Sequence, residues 1–128
     1  MAATVLLAED NDILRHVVAR TLEQCGYEVL EARTLPEAVA VFQAGTAIDV
    51  IVSDVGLIAR EEPAHIDTLH RLIARIPVAY VSGHPVELAK QRYTLRPGSP
   101  YLQKPFDLDD LLTTILTLIA PPSGPDVA

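Results

Sequence analysis

The sequence has few of the features that mark secreted, membrane or nucleic-acid-binding proteins. Its one cysteine, Cys25, excludes a disulfide within the chain. It has 10 Lys and Arg residues against 17 Asp and Glu residues and no basic run, which argues against direct DNA binding through phosphates. The amino terminus, MAATVLLAED, lacks a basic region and has a very short apolar run. We therefore predict neither a signal peptide nor a membrane span, and expect a cytoplasmic protein.

The composition is that of an ordinary globular domain. The 128 residues are 49% hydrophobic and 21% charged, and they contain no internal repeat or low-complexity core. A chain of this size buries about two thirds of its unfolded surface, which is enough for one core. We predict one domain over residues 1–120 and a disordered tail, PPSGPDVA, over residues 121–128.

Short apolar segments alternate with helical patterns along the chain. They are too short for helices and are bounded by turn residues, so they predict strands. These strands are Thr4–Ala8, Tyr27–Leu30, Asp49–Ser53, Val78–Val81 and Tyr101–Gln103. The alternation predicts an α/β fold, a doubly wound five-stranded parallel sheet with helices on both faces in three layers. The second strand is the least hydrophobic and is predicted at an edge.

Apolar residues at three-and-four spacing predict helices between these strands. In the first helix Ile13, Val17 and Cys25 belong to the apolar set, with Cys25 as a small core residue. A loop is predicted after the third strand, then a helix over residues 63–76. A short helix follows over Val86–Gln91, and the last helix has Leu116 in its apolar set. The predicted caps of three helices are Asn11 or Asp12, Thr34, and Asp107.

Polar residues follow four of the five predicted strands. Glu9 and Asp10 follow the first, Asp54 follows the third, Ser82 follows the fourth and Lys104 follows the fifth. In a sheet of order 2-1-3-4-5, these strand ends meet in one crevice, where ligands bind in open α/β folds. The sequence therefore predicts a site at this edge of the sheet.

The chemistry of these residues suggests phosphoryl transfer. Three close carboxylates repel one another unless a cation lies among them, and Mg²⁺ suits oxygen ligands and phosphate. A lysine and a hydroxyl can bind phosphoryl oxygens while Asp54 attacks as a nucleophile. Taken singly, acidic residues after a strand are more often helix caps or turn residues. Their coincidence at four strand ends favours a site.

Four segments resemble the signature segments of the response-regulator receiver domain of two-component signalling, and the similarity covers residues 3–120. They are VLLAEDN, VIVSD, Val81-Ser82-Gly83 and YLQKPF. The resemblance implies the flavodoxin-like 2-1-3-4-5 sheet, with Asp54 as phosphoacceptor. It implies Mg²⁺ bound by Asp10, Asp54 and the carbonyl of Gly56, with Glu9 acting through water. It further implies that Ser82 and Lys104 hold the phosphoryl oxygens, that Tyr101 is the switch aromatic, and that the Lys104–Pro105 bond is often cis.

The function implied by this resemblance is that of a single-domain, chemotaxis-regulator-like response regulator. Its phosphoryl donor is a histidine kinase or a histidine phosphotransfer protein. It is not an enzyme beyond its own phosphotransfer and autodephosphorylation. Its output is a downstream protein that binds the face of the fourth helix, fifth strand and fifth helix.

Some residues depart from the family pattern and leave alternatives open. Ile58 replaces the usual proline, Arg60-Glu61-Glu62 replaces the usual turn, and the segment Pro85–Ser99 lacks the usual Gly-Ala. These changes leave open a docking adaptor that works without phosphorylation. A Mg²⁺-dependent phosphatase with an aspartyl intermediate would need an acid at position 56, which is glycine.

Overall fold

A computed structural model gives the fold and describes residues 2–59, 71, 74–92 and 95–119. These residues form five strands and five helices, which we number in chain order. The strands are β1 (Thr4–Ala8), β2 (Glu28–Ala32), β3 (Val50–Asp54), β4 (Val78–Ser82) and β5 (Tyr101–Gln103). The helices are α1 (Asp12–Gln24), α2 (Leu35–Gln43), α3 (Val55–Ala59), α4 (Val86–Arg92) and α5 (Leu108–Leu118). No helix within the described ranges is long and apolar enough to cross a membrane.

The sheet has the predicted topology. All four strand pairs are parallel and the order is β2-β1-β3-β4-β5, which places β2 at an edge and β3 at the centre. Ala8 on β1 lies opposite Ser53 on β3, and Asp54 lies opposite Val81 on β4. The carboxyl ends of β1, β3 and β4 therefore lie side by side.

The core has two halves, one on each face of the sheet. Along β1, Val5 and Leu7 pack with residues of α1 and α5, while Leu6 and Ala8 pack with residues of α2 and α3. Alternate residues of a strand point to opposite faces, so a strand buried on both faces needs a continuous apolar run. β1, β3 and β4 are buried along their whole length. The predicted three-layer α/β class is confirmed.

Some predictions about the elements differ from the structure, and others lie outside the residues that it describes. The loop predicted after β3 is instead the short helix α3, which starts directly after Asp54. β2 lies slightly later than predicted, because its last residue, Ala32, pairs with Ala8 while Tyr27 is buried in the core before the strand. The helix predicted over residues 63–76 lies largely outside the described residues, and the tail over residues 121–128 lies outside them.

The predicted apolar face of α1 is partly wrong. Ile13 is 78% exposed and Val17 is 47% exposed, while Val18 and Leu22 are buried. With 3.6 residues per turn, Ile13 lies about 140° around the helix from Val18, so the apolar set is wider than the face that the sheet covers. Cys25 is exposed because α1 ends at Gln24 and the chain turns away there. On α5 the apolar set is likewise wider than the covered face, so Leu116 is 48% exposed beside the buried Ile115.

Two of the three predicted helix caps form. The Asn11 side chain accepts a hydrogen bond from the Leu14 N–H at 2.9 Å, and the Thr34 hydroxyl accepts one from the Glu37 N–H at 3.2 Å. Asp107 occupies the N-cap position of α5, but its side chain makes no capping hydrogen bond. Its predicted capping bond is therefore wrong, although the helix begins where expected.

Candidate functional site

The acidic residues after β1 and at the end of β3 meet at the carboxyl edge of the sheet. Glu9, Asp10 and Asp54 each place a carboxylate oxygen within 4.8 Å of those of the other two. Ala8 lies opposite Ser53, so the next residue of each strand falls at the same level. Glu9 is only 2% exposed and Asp54 only 7%, whereas Asp10 is exposed. The structure thus brings together three residues that the sequence predicted at one site.

Lys104 lies between two of these carboxylates. Its Nζ is 2.7 Å from Glu9 Oε1 and 3.0 Å from Asp54 Oδ2. It follows β5, where its backbone N–H donates to the Ser82 carbonyl at 2.6 Å. The Lys104–Pro105 peptide bond is cis, as the family resemblance implies. The lysine therefore links the end of β5 to the ends of β1 and β3.

Burial and hydrogen bonding shift the pKa values of Glu9 and Lys104. Burial raises the pKa of Glu9 above its ordinary value, and the hydrogen bonds from Lys104 and the Asn11 N–H offset only part of that effect. Burial lowers the pKa of Lys104, but the hydrogen bonds and charges of Glu9 and Asp54 outweigh it and raise that pKa. The ammonium therefore stays charged and is held by its two acidic neighbours.

The Asp54 carboxylate is held through both of its oxygens. Oδ1 accepts a hydrogen bond from the Gly56 N–H at 2.8 Å, and Oδ2 accepts one from Lys104. A Cβ built at Gly56 would lie 3.2 Å from Asp54 Oδ1, closer than ordinary van der Waals contact. Glycine at this position therefore leaves the approach to the carboxylate open.

Ser82 and Tyr101 are connected through the backbone of one residue, His84. The Ser82 hydroxyl accepts a hydrogen bond from the His84 N–H at 3.0 Å, and the Tyr101 hydroxyl donates to the His84 carbonyl at 2.6 Å. Ser82 is 2% exposed and lies one residue beyond Val81, the neighbour of Asp54 in the sheet. The sequence did not indicate the part played by His84, because its backbone rather than its side chain makes both contacts.

Arg15 is a buried charge near the site that sequence reasoning missed. It lies on α1 and is 5% exposed, with a 3.0 Å hydrogen bond to the Glu9 carbonyl. Its other partners are Asp12 at 2.6 Å and Glu31 at 3.1 Å. A charged residue in a helix is most often on the surface. The signal that could have found it is its position three residues after Asp12, at the start of the helix that follows the acidic pair.

The three carboxylates fit a hard divalent cation. Each offers one oxygen, and oxygen donors at such separations are the ligands that Mg²⁺ takes in proteins. Asp10 is exposed, and the buried Glu9 bonds Lys104 and the Asn11 N–H. The donor set therefore favours Mg²⁺ over a softer metal, which prefers Cys or His.

Comparisons of the sequence and of the structure with known proteins find the same kind of domain. The family model for the response regulator receiver domain matches residues 5–116. The sensor kinase CckA of Brucella abortus is 32% identical over 119 residues, which cover 92% of this chain and 13% of the kinase. A response regulator receiver protein from Sinorhizobium medicae superposes with a TM-score of 0.76 and 28% identity, over 91% of this chain and 94% of that one. Chemotaxis protein CheY4 of Vibrio cholerae gives 0.75 and 27%, over 93% and 100%.

The curated relatives are longer proteins. The chain spans between 13% and 49% of the length of those that it matches. The family model, in contrast, covers nearly all of the strands and helices described above, and the structural neighbours share their arrangement. The chain therefore belongs to the response regulator receiver domains of two-component signalling.

Proposed function

We propose that Asp54 accepts a phosphoryl group from the phosphohistidine of a histidine kinase or phosphotransfer protein, in a reaction that uses Mg²⁺. Receiver domains are signalling phosphoacceptors rather than classical enzymes, and they interact with histidine kinases and downstream effectors. One observation carries the proposal: a nearly buried carboxylate at the end of the central strand is 3.0 Å from a lysine and within 4.8 Å of two further carboxylates.

The chemistry of the transfer follows from these neighbours. One Asp54 carboxylate oxygen attacks phosphorus and forms a P–O bond, while the P–N bond to the donor histidine breaks. The electron pair of that bond stays on the imidazole, which then takes up a proton. Lys104 is close enough to Asp54 to neutralise a phosphoryl oxygen, and Ser82 offers a hydroxyl one residue beyond the neighbouring position of β4.

The metal would be held by this chain's oxygen atoms. Asp10, Asp54 and the carbonyl of Gly56 are the proposed direct ligands, and Glu9 is proposed to act through water. Mg²⁺, when bound, neutralises negative charge on the carboxylates and on the transferred group. Glu9 supports the site in a second way, because its carboxylate holds the Lys104 ammonium at 2.7 Å.

The proposed switch uses the contacts around His84. When the Ser82 hydroxyl turns toward the phosphoryl group, its hydrogen bond with the His84 N–H is lost. The His84 carbonyl, which accepts from Tyr101, then moves with the same backbone. The change reaches the face of α4, β5 and α5, which we propose as the surface for a downstream protein in the cytoplasm.

The test is acetyl phosphate with Mg²⁺, followed by intact-protein mass spectrometry. We expect a mass gain of one phosphoryl group that EDTA abolishes and that Asp54→Asn lacks. Asp49→Asn is the matched control, because Asp49 precedes the same strand at its opposite end, where it accepts a hydrogen bond from the Thr4 N–H. This variant should be labelled like the wild type.

Other outcomes distinguish the alternatives. No labelling of the folded wild type with any donor would refute the proposal and leave the phosphorylation-independent adaptor. Steady turnover of an aryl phosphate would instead indicate the phosphatase. A beryllofluoride complex that shifts the amide resonances of Ser82 and Tyr101 in the wild type, but not in Asp54→Asn, would support the switch.

A further inference from the structure

We propose that Arg15 is a positioning residue that fixes the Glu9–Asp10 peptide and so sets how tightly the acidic cluster binds a divalent cation. The inference rests on the proposed Mg²⁺ site and deepens it. Arg15 lies outside the cluster and touches neither a ligand oxygen of the cluster nor Asp54 in the contacts of the described residues. Its effect must therefore act through the backbone.

A buried arginine on α1 calls for an explanation. The helix leaves Ile13 78% exposed but covers Arg15, which is 5% exposed. Burying a charge is unfavourable unless it is paired and fully hydrogen-bonded. Burial lowers the pKa of Arg15, but the hydrogen bonds and charges of Asp12 and Glu31 outweigh it and raise that pKa. The side chain is therefore a stable, charged part of the fold.

The guanidinium connects three segments of the chain. Its Nη2 donates to Asp12 at the start of α1 at 2.6 Å, and its Nε donates to Glu31 on β2 at 3.1 Å. These two carboxylates orient the planar guanidinium group. Its Nη1 is then directed at the Glu9 carbonyl oxygen, 3.0 Å away. Two anchors and one directed donor are the arrangement expected of a group that holds a third atom in place.

The atom that it holds belongs to the peptide between Glu9 and Asp10. A peptide unit is planar, so the Glu9 carbonyl oxygen and the Asp10 Cα move as parts of one rigid plane. The Glu9 N–H is held on the other side, where it donates to the Ala32 carbonyl at 3.0 Å. With its N–H bonded to β2 and its carbonyl bonded to Arg15, the Glu9 backbone is fixed on both sides. The Cα that carries the Asp10 carboxylate is fixed with it.

Arg15 could affect Mg²⁺ binding through its charge or through its positioning of the Glu9–Asp10 peptide. The two explanations predict opposite changes in Mg²⁺ affinity when Arg15 is replaced. Removing a positive charge near three carboxylates would strengthen the binding of a cation. Removing a positioning contact would weaken it, because the carboxylates would sample orientations that do not bind. Residues that orient metal ligands without touching the metal each change metal affinity by about tenfold to a hundredfold when they are replaced.

The experiment is a Mg²⁺ titration of the unphosphorylated protein by ¹⁵N–¹H NMR, which reads affinity without any phosphotransfer. We expect Arg15→Met to weaken Mg²⁺ binding about tenfold. Arg15→Lys keeps the positive charge but cannot donate to Asp12, Glu31 and the Glu9 carbonyl in the same geometry, so we expect it to weaken Mg²⁺ binding as well. The Asn11 amide, which donates to Glu9 at 3.0 Å, should shift in both variants before Mg²⁺ is added.

Glu31→Gln is the matched control. It removes the negative charge of Glu31 but keeps a side-chain oxygen that can accept from Arg15 Nε, so the guanidinium stays oriented toward the Glu9 carbonyl and Mg²⁺ affinity should stay within about twofold even if stability falls. Tighter binding by Arg15→Met with wild-type binding by Arg15→Lys would show a charge effect and overturn the inference. A lower melting temperature with unchanged affinity in both arginine variants would also overturn it. If the folded wild type binds no Mg²⁺, the proposed metal site itself fails.

Discussion

Replacing Lys104 by glutamine should destabilise the metal-free protein by about 3 kcal/mol at pH 7. The ammonium bonds Glu9 at 2.7 Å and Asp54 at 3.0 Å, and its side chain is 23% exposed. Removing one partner of a buried ion pair costs about 3–5 kcal/mol, and the partial exposure of Lys104 favours the lower end. Two unit charges 4.8 Å apart, the separation within which the carboxylate oxygens lie, repel by about 3.5 kcal/mol at an effective dielectric constant of about 20. The cost of removing an ion-pair partner and the repulsion between the two carboxylates are therefore of the same size.

The assay is urea unfolding in EDTA, followed by far-UV circular dichroism because the chain contains no tryptophan. A loss of about 3 kcal/mol corresponds to a melting temperature about 10 °C lower in a domain of this size. Lys90→Gln is the control, since Lys90 is exposed on α4. That variant should stay within about 0.5 kcal/mol of the wild type.

Two conditions should reduce the deficit of Lys104→Gln. Added Mg²⁺ should restore stability, because a cation again lies among the carboxylates. Lowering the pH toward 4.5, the ordinary pKa of Glu9, should also reduce it, because the raised folded pKa lets the uncompensated carboxylate take up a proton. Equal stability of Lys104→Gln and Lys90→Gln in EDTA, with no response to Mg²⁺ or pH, would refute this reasoning.

Three further predictions concern single residues. In EDTA, the wild type should lose stability relative to Glu9→Gln as the pH rises above 4.5. Burial raises the pKa of Glu9 in the folded state, so the folded state binds this proton more tightly than the unfolded state does. A stability difference that does not change with pH would contradict this. Gly56→Ala should slow labelling by acetyl phosphate about threefold. The added methyl group would lie 3.2 Å from Asp54 Oδ1 and would displace the carboxylate by a few tenths of an ångström. An unchanged initial rate of labelling would count against this prediction. Thr34→Ala should cost about 1 kcal/mol in urea unfolding and Asp107→Ala clearly less, since only the threonine makes a capping hydrogen bond; equal losses would disagree with the geometry.

The buried strands and their polar ends could be predicted because their signals are local. β1 and β5 begin and end at the predicted residues, and Glu9, Asp10, Asp54 and Lys104 meet as the topology requires. A strand covered on both faces needs an apolar run, and that run is visible in the sequence. The order of the strands then decides which ends are neighbours.

The misassigned positions depend on contacts between distant segments. Arg15 is buried because Glu31 lies on the neighbouring edge strand, and nothing in the spacing of α1 shows that pairing. Ile13 and Cys25 belong to an apolar pattern that is wider and longer than the face the sheet covers. Helix α3 is only five residues long and contains Gly56, so it has no periodicity to detect.

The contact between Glu9 and Lys104 has a consequence for the time at which the domain becomes competent during its synthesis. Glu9 follows the first strand and Lys104 the last, and β3 and β4 lie between those strands in the sheet. A ribosome releases the acidic residues early but the lysine only when nearly the whole domain has been made. The nascent domain therefore carries the aspartate that we propose as acceptor without the ammonium that holds it, and the proposed site is complete only after β5 and Lys104 have been made.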